Sequence, residues 1–588
     1  MNNKTLHILF LFLAIGAGVF PQAQTNSRAK SHLFDKSPIP NEKVFTHLNT
    51  SLFFVGEYLY YKIYVINSKT ENLSDISKVA YLELINESKT SIFKHKIPLV
   101  SGTGQGDFFI PTTIPSGNYK IVSYTMNMLS KSPDNYFQQD ITIINPYRGN
   151  QNALAKMNDS VLNDNQSISK NALDNRDSNS SFSITADKKN YPKRSLVTLN
   201  FNGNNSKFPQ GDYSLSVRKM DTFIQAPLKK ITNLTHQDSE ALNPQNKLIL
   251  PELRGELLSG KLTTASKNQN LEKQKIALSI PGDNFIFKIS NVDSEGNFYF
   301  NIDRPYSSNT VVLQVINDFD NTFEIKINNQ APISFENLHF NQFYITPQMK
   351  NLIVERSVYN QVENAYYSIK PDTIKTIPPH TSIYTKKSTI YKLDEYTRFP
   401  TMKETMVEIV NDAWIDWNNG KGTFGIREKD NSIRSNAPVL LLVDGFFVQD
   451  HQKLIDYSAN KVKSIAIMQD KYYYGSQTFQ GVMLVKTIEG NFYENPLNNY
   501  VKQVQIIPIQ QRKQYFKQVY SKSDNSEASQ RIPDYRRQLL WMPDFEINEL
   551  NKDITFYTSD ISGIYEVIME GYSKKGQPIL LKETFEVK

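Results

Sequence analysis

The sequence contains no cysteine. That absence excludes disulfides, zinc–thiolate sites, iron–sulfur clusters, thiol catalysis and a lipidated cysteine, so stability must come from packing. Long apolar runs are also missing after the first two dozen residues. No later stretch approaches the roughly 18 apolar residues that a membrane-spanning helix requires, so no transmembrane span is expected. Charge of one sign is scarce too. The 66 basic and 59 acidic residues leave a formal charge of +7 without a basic run, so no nucleic-acid partner is expected.

Catalytic signatures are equally thin. The eight histidines are scattered, and no pair brackets a glutamate at i, i+4 spacing. His47 and His95 could meet across one sandwich, but satisfied strand histidines are the commoner outcome. No G-x-S-x-G elbow occurs in the mature chain. The glycines of 102–106 lack the following Lys and Ser/Thr of a phosphate-binding loop and read as a turn between strands. Asp412 and Asp416 flank Trp414, with Trp417 beside them, which suggests either a sugar-stacking platform or aromatic anchors at a domain edge. No metal, cofactor or catalytic residue is expected, and the chain reads as non-enzymatic.

What is present is aromatic, β-favouring and modular. A hydrophobic fraction of 39%, with 34 Phe and 32 Tyr, supplies several cores, and 588 residues imply roughly three to five domains. Lys4 precedes a short apolar run over 8–19, with small residues near Ala23, so 1–24 is expected to be a signal peptide. Residues 25–42 read as a flexible leader. From 43 to 147, short alternating strands separated by Gly, Pro and Asn turns indicate a β-sandwich.

The segments VFTHLNTSLFFVGEYLYYKIYV, GDFFIPTTIPSGNYKIVSYTMNM and DITIINP resemble the macroglobulin-type sandwich of bacterial surface proteins. In protease-trapping macroglobulins a thioester does the chemistry and needs a cysteine, so that reaction is not carried over. An Asn/Asp/Ser-rich linker is expected over 148–180. A second small sandwich with its connector follows over 181–250, where ITADKKNYPKRSLVTLNF looks like another macroglobulin-type start. Residues 251–330 alternate again, and the turn Asp293-Ser294-Glu295-Gly296-Asn297-Phe298 resembles the carboxypeptidase regulatory-like, transthyretin-like sandwich. That resemblance implies an accessory module and no peptidase.

Helical spacing of Leu352, Glu355, Arg356, Tyr359 and Val362 predicts a helix within the 331–390 connector. Thr401 and Glu404 form a capping-box pattern that opens another. The stretch PVLLLVDGFF, then KVKSIAIMQD, then YYYGSQTFQGVMLVKT, resembles the plug domain of TonB-dependent outer-membrane receptors over 391–495. Its apolar runs 439–443, 462–468 and 481–485 are expected to be strands of one small sheet. Residues 496–588 read as a separate C-terminal β domain.

The expected fold class is therefore mainly β, with tandem β-sandwich domains (macroglobulin-like and transthyretin-like) plus one small α+β plug-like domain. A receptor barrel of about 22 strands needs several hundred residues, and about 100 follow Lys486, so the plug resemblance implies a module reused for contacts. The expected function is that of an exported accessory or scaffold subunit of an outer-membrane complex, in the periplasm or at the cell surface. Its partner would be an outer-membrane barrel protein or an associated subunit; a carbohydrate- or peptide-binding surface protein is the alternative. The expected contact residues are Asp444, Gly445, Phe446 and Phe447 at the VDG turn, Tyr472, Tyr473 and Tyr474 in the aromatic loop, and Trp414 and Trp417.

Overall fold

Strand after strand in this chain buries one face against a second sheet, and the outcome is a mainly β architecture of packed sandwiches. The computed structural model describes residues 40–129, 136–149, 151–154, 182–203, 209–221, 223, 225–233, 250–265, 269–328, 333–375, 387–428, 437–494, 498–520, 532–547 and 553–588. The expected signal peptide, most of the leader and most of the 148–180 linker lie outside the described residues.

The N-terminal sandwich sets a three-stranded sheet (Glu42–Leu48, Tyr58–Asn67, Thr103–Phe109) against a five-stranded one. In the larger sheet Leu52–Phe54 joins the edge in parallel with Phe137–Ile144. The strand Tyr58–Asn67 is buried on both faces, because its outer face is covered by another sandwich. There Lys62, fully buried, donates to Asp212 at 3.2 Å and pairs with Asp544 at 3.3 Å. The glycine-rich stretch expected as a turn is mostly strand, since Thr103–Phe109 pairs in register with Tyr58–Tyr64.

The covering sandwich is made from two distant pieces of chain. Gly211–Lys219 lies between Gln538–Glu546 and Gly563–Ser573 in a five-stranded sheet, and Leu196–Gly203 pairs with Ile554–Tyr557 in the opposing sheet. The separate domains expected over 181–250 and 496–588 are thus one split sandwich. Each half supplies four strands divided between the two sheets, so neither half alone completes either sheet. The pairing spans more than 300 residues of sequence (Ser216 with Ile568), a distance that local alternation does not report.

A central sandwich is split in the same way. Glu256–Thr264 lies between Asn297–Ile302 and Phe323–Ile327, while the second sheet is completed by Val501–Gln505 against Thr310–Val315. Strand 501–505 therefore also leaves the expected C-terminal domain. Between 327 and 501 the chain builds a further module, whose five-stranded sheet has the order Thr389–Lys392, Val462–Met468, Val482–Thr487, Leu440–Val443, Phe446–Phe447. The three expected core strands are present in it, with Leu440–Val443 and Val482–Thr487 parallel. The capping box at Thr401 and Glu404 opens the helix Met402–Glu408 as the spacing requires.

Helix α1, Lys350–Ala365, is inverted relative to an ordinary surface helix. It buries Arg356, Ser357 and Asn360 and leaves Val354 and Val358 exposed. Arg356 is the reason. Its guanidinium donates to both carboxylate oxygens of Glu57 at 2.7 and 2.8 Å and to Asp221 at 2.8 Å. Arg218 and Arg537 join the same network through Glu57 and Asp221. Burial opposes ionisation of Glu57, but Arg356 and Arg218 outweigh it and hold the carboxyl down at about 2. This joint ties the N-terminal sandwich, the split sandwich and α1 together.

Candidate functional site

The VDG turn is a two-residue hairpin link in which Asp444 (φ 50°) and Gly445 (φ 82°) both take left-handed backbone, the geometry of a type I′ turn. Its carboxylate faces inward. Asp444 accepts from Thr487 N at 2.8 Å, Thr487 Oγ1 at 2.6 Å and Phe492 N at 3.1 Å, which fastens the turn to the end of strand Val482–Thr487. Gly445 allows close approach as well, because a Cβ there would lie 2.1 Å from Phe285 Cβ of the central sandwich. Gly282 N donates to Asp444 O at 3.1 Å across the same contact.

Phe446 and Phe447 were expected at a ring-rich contact surface, but both are buried. Phe446 packs in the module core. Phe447 points the other way, into an apolar layer with Ala277, Phe287, Leu440, Leu442 and Met468, its ring 5.3 Å from that of Phe287. Ser279 Oγ accepts from Phe447 N at 3.1 Å, and Gln314 Nε2 donates to Phe447 O at 2.7 Å. Strand alternation sends the two rings to opposite faces, and both faces of this small sheet are covered. The turn is an internal joint, not a free loop.

The tyrosine triplet alternates likewise along its hairpin, Tyr472–Tyr474 with Gln477–Phe479. Tyr472 and Tyr474 are half-buried, stacking on Phe479 and edge-on to Phe287 respectively, whereas Tyr473 is 67% exposed. Trp414 and Trp417 lie on the strand Ala413–Asn418, three residues apart and hence on opposite faces. Trp414 covers Gly425, where a Cβ would fall 2.4 Å from the ring. Trp417 is 50% exposed with Lys403 Nζ 5.2 Å from its centroid. Asp412 is engaged by Tyr391 OH at 2.9 Å and Gln469 Nε2 at 3.2 Å. Of the two readings of this stretch, the sugar-stacking platform is therefore not assembled.

His47 and His95 do not meet. His95 pairs with Tyr61 OH at 2.8 Å, while His47 Nδ1 lies 2.6 Å from Ser214 Oγ. The second pair has the separation of a nucleophile and its base, but both residues are buried between two sandwiches. Burial, with a smaller contribution from Lys582, pushes the His47 imidazole down to about 3. Among the described residues no group of three His, Asp or Glu is placed to hold a metal.

Beside the VDG turn opens a groove of about 1,100 Å³, larger than the ~300–1,000 Å³ of ordinary small-molecule sites. Five parts of the chain wall it: the N-terminal sandwich near Val79 and Val100, the central sandwich near Phe285 and Tyr306, module strand Val482–Thr487 with the residues after it, and the segments 374–375 and 509–512. Its wall includes Glu256, buried in an ion pair with Lys96 and accepting from Tyr306 OH. Three apolar side chains stand in it exposed: Val100 at 52%, Ile374 at 48% and Ile488 at 58%. Arg254, Arg304 and Lys463 also line it and hold no ion pair among the described residues. Close by, burial raises Glu252 to about 7 against the opposing bonds from Leu257 N and Tyr81 OH.

Sequence reasoning found Asp444 and Gly445, which border this groove, but missed its cations. Arg254, Arg304 and Lys463 sit singly in three separate segments, and nothing local distinguishes them from other surface bases. The arrangement offers binding chemistry: apolar contact, positive charge and a large open concavity.

No protein-family model matches the chain, and no curated protein matches it. Among solved structures it is similar over 93% of its length to Salmonella alpha-2-macroglobulin reacted with methylamine, at 9% identity and a TM-score of 0.23, covering 39% of that protein. Escherichia coli alpha-2-macroglobulin activated by porcine elastase gives 8% identity, a TM-score of 0.24 and 44% coverage. A beta-glucosidase from Listeria innocua in complex with glucose matches over 18% of this chain at 15% identity and a TM-score of 0.13. The chain spans about two fifths of the length of the macroglobulins it matches.

Proposed function

We propose that this protein is a non-enzymatic, exported accessory or scaffold subunit of an outer-membrane complex, and that it seats a segment of a partner polypeptide in the groove beside the VDG turn. The observation that carries the reading is the groove itself. It is formed jointly by the N-terminal sandwich, the central sandwich and the 387–494 module, has about 1,100 Å³ of volume, and brings the exposed side chains of Val100, Ile374 and Ile488 together in one concavity. Sites at domain junctions are a common place for ligands. The sandwiches would serve as rigid supports, since residues 41–588 form one compact unit.

The test is capture of partners from detergent-solubilised outer membranes by the mature chain, beside variants Val100→Trp and Ile488→Trp that narrow the groove. Recovery of a barrel protein or its associated subunit, lost with either tryptophan, is the expected outcome. Recovery of no such protein, or recovery indifferent to both variants, counts against it. Cell fractionation with protease shaving checks the location. The carbohydrate alternative rests on Trp417 alone, because Trp414 faces the other side of its hairpin.

A further inference from the structure

We infer that the groove takes an extended acidic polypeptide segment, whose carboxylates meet Arg254, Arg304 and Lys463 while its apolar side chains lie on Val100, Ile374 and Ile488. This rests on the groove being the partner site, and it goes further by naming the chemistry of the ligand.

Charge complementarity carries the inference. Seven basic side chains line the groove against five acidic ones. Two of those five carboxylates are already ion-paired inside the protein, Glu256 with Lys96 and Asp303 with Lys288 at 2.8 Å, whereas Asp444 is held by Thr487 and Phe492, neutral donors that bring no compensating charge. Some of the bases are committed as well, Lys375 and Arg512 to Asp544 at 2.9 and 2.8 Å. Arg254, Arg304 and Lys463 remain without an ion pair among the described residues, with Asp283, Glu489 and Asp444 left opposite them and Asp303 near Arg304. Asp283 stands 3.8 Å from Lys486. The lining as a whole, seven bases to five acids, therefore presents a net positive charge to a ligand.

The three cations come from different units, Arg254 and Arg304 from the central sandwich and its approach and Lys463 from the module's sheet. A compact anion engages charges converging on one point. Here Arg254 and Arg304 are neighbours, since Gly255 packs against Ile302 and Asp303, Lys463 lies on a different sheet, and exposed Val100, Ile374 and Ile488 line the same groove, which suits an extended segment carrying both acidic and apolar residues. The bases are interrupted by five carboxylates along the same walls and form no continuous basic track of the kind a nucleic-acid backbone needs.

The experiment uses the mature chain and fluorescein-labelled synthetic nonapeptides: one alternating Glu with Val, one alternating Lys with Val, one alternating Glu with Ser. Anisotropy titrations run at low and high salt, and anionic phospholipid vesicles form a fourth arm. Each exposed ion pair changes affinity by about two- to five-fold. The triple variant Arg254→Glu, Arg304→Glu, Lys463→Glu is thus expected to weaken the Glu/Val peptide at least ten-fold and to gain affinity for the Lys/Val peptide, with its melting temperature unchanged. The Glu/Ser peptide is expected to bind more weakly than the Glu/Val one. Equal binding of acidic and basic peptides, unaltered Glu/Val affinity in the folded triple variant, or binding confined to vesicles overturns the inference. If the triple variant still captures the membrane partner while Val100→Trp and Ile488→Trp do not, the groove is the partner site and its ligand is not acidic. If none of these variants affects capture, both readings fall.

Discussion

Two of the joints in this molecule are built from opposite chemistries. Where α1 and the split sandwich meet the N-terminal sandwich, the contact centres on buried charge, Arg356 between Glu57 and Asp221 with Arg218 and Arg537 around them. Where the 387–494 module meets the central sandwich, the contact is a layer of Phe287, Leu440, Leu442, Phe447 and Met468. A charged joint tolerates no missing member, because each removed partner leaves another ion buried and uncompensated. An apolar joint loses contact area in proportion to what is removed, and the rest can partly close up. The one joint is thus brittle and the other forgiving.

The largest expected effect comes from breaking the charged joint. Arg356→Met removes the two-pronged partner of Glu57 and one of the two bases on Asp221, leaving them Arg218 and Arg537, and is expected to cost about 3–5 kcal/mol in urea unfolding. The double variant with Glu57→Gln is expected to cost less than the sum of the two single ones, because both break the same ion pair, whereas two independent defects would add. In the apolar joint, Phe447→Ala is expected to cost about 3 kcal/mol, read as earlier proteolysis of the module while the charged joint stays protected from hydrogen exchange. A global loss of protection would blur the distinction between the joints.

Acid should separate them next. The folded pKa of Glu57 is depressed to about 2 from an ordinary 4.5, so its contribution is present above pH 4.5 and is lost as pH falls from there toward 2, to an extent of at most about 3 kcal/mol. No such window is expected for the Phe287–Phe447 layer, and acid-induced exchange should therefore start in α1. Gly445→Ala is the smallest, about 1–3 kcal/mol, from left-handed backbone and the clash with Phe285. It should loosen the module against the central sandwich without shifting the acid limb.

How much of this was legible beforehand depended on the range of the interaction. The strands 440–443, 462–468 and 482–487 announced themselves by their apolar residues, and the helix at 402 by Thr401 and Glu404, because those signals lie within one element. The VDG turn was legible as a turn, yet its function was misread. Phe446 and Phe447 look like a contact surface only until a second sheet is laid on each face. Trp414 and Trp417 failed for a related reason, since a separation of three brings side chains together on a helix and divides them on a strand.

By itself the sequence determined the chemistry available and the local elements. With no cysteine it had neither disulfides nor thiol reactions, and alternation with Gly, Pro and Asn turns made it a β protein whatever its topology. Only the tertiary structure decided which strands share a sheet. It joined 211–219 to 538–573 and 310–315 to 501–505, turned two expected domains into one, and gathered Arg254, Arg304 and Lys463 around one groove. The physical reason is that backbone pairing is nearly indifferent to residue identity while burial acts over any sequence distance. Partners hundreds of residues apart are therefore chosen by the shape of the whole molecule.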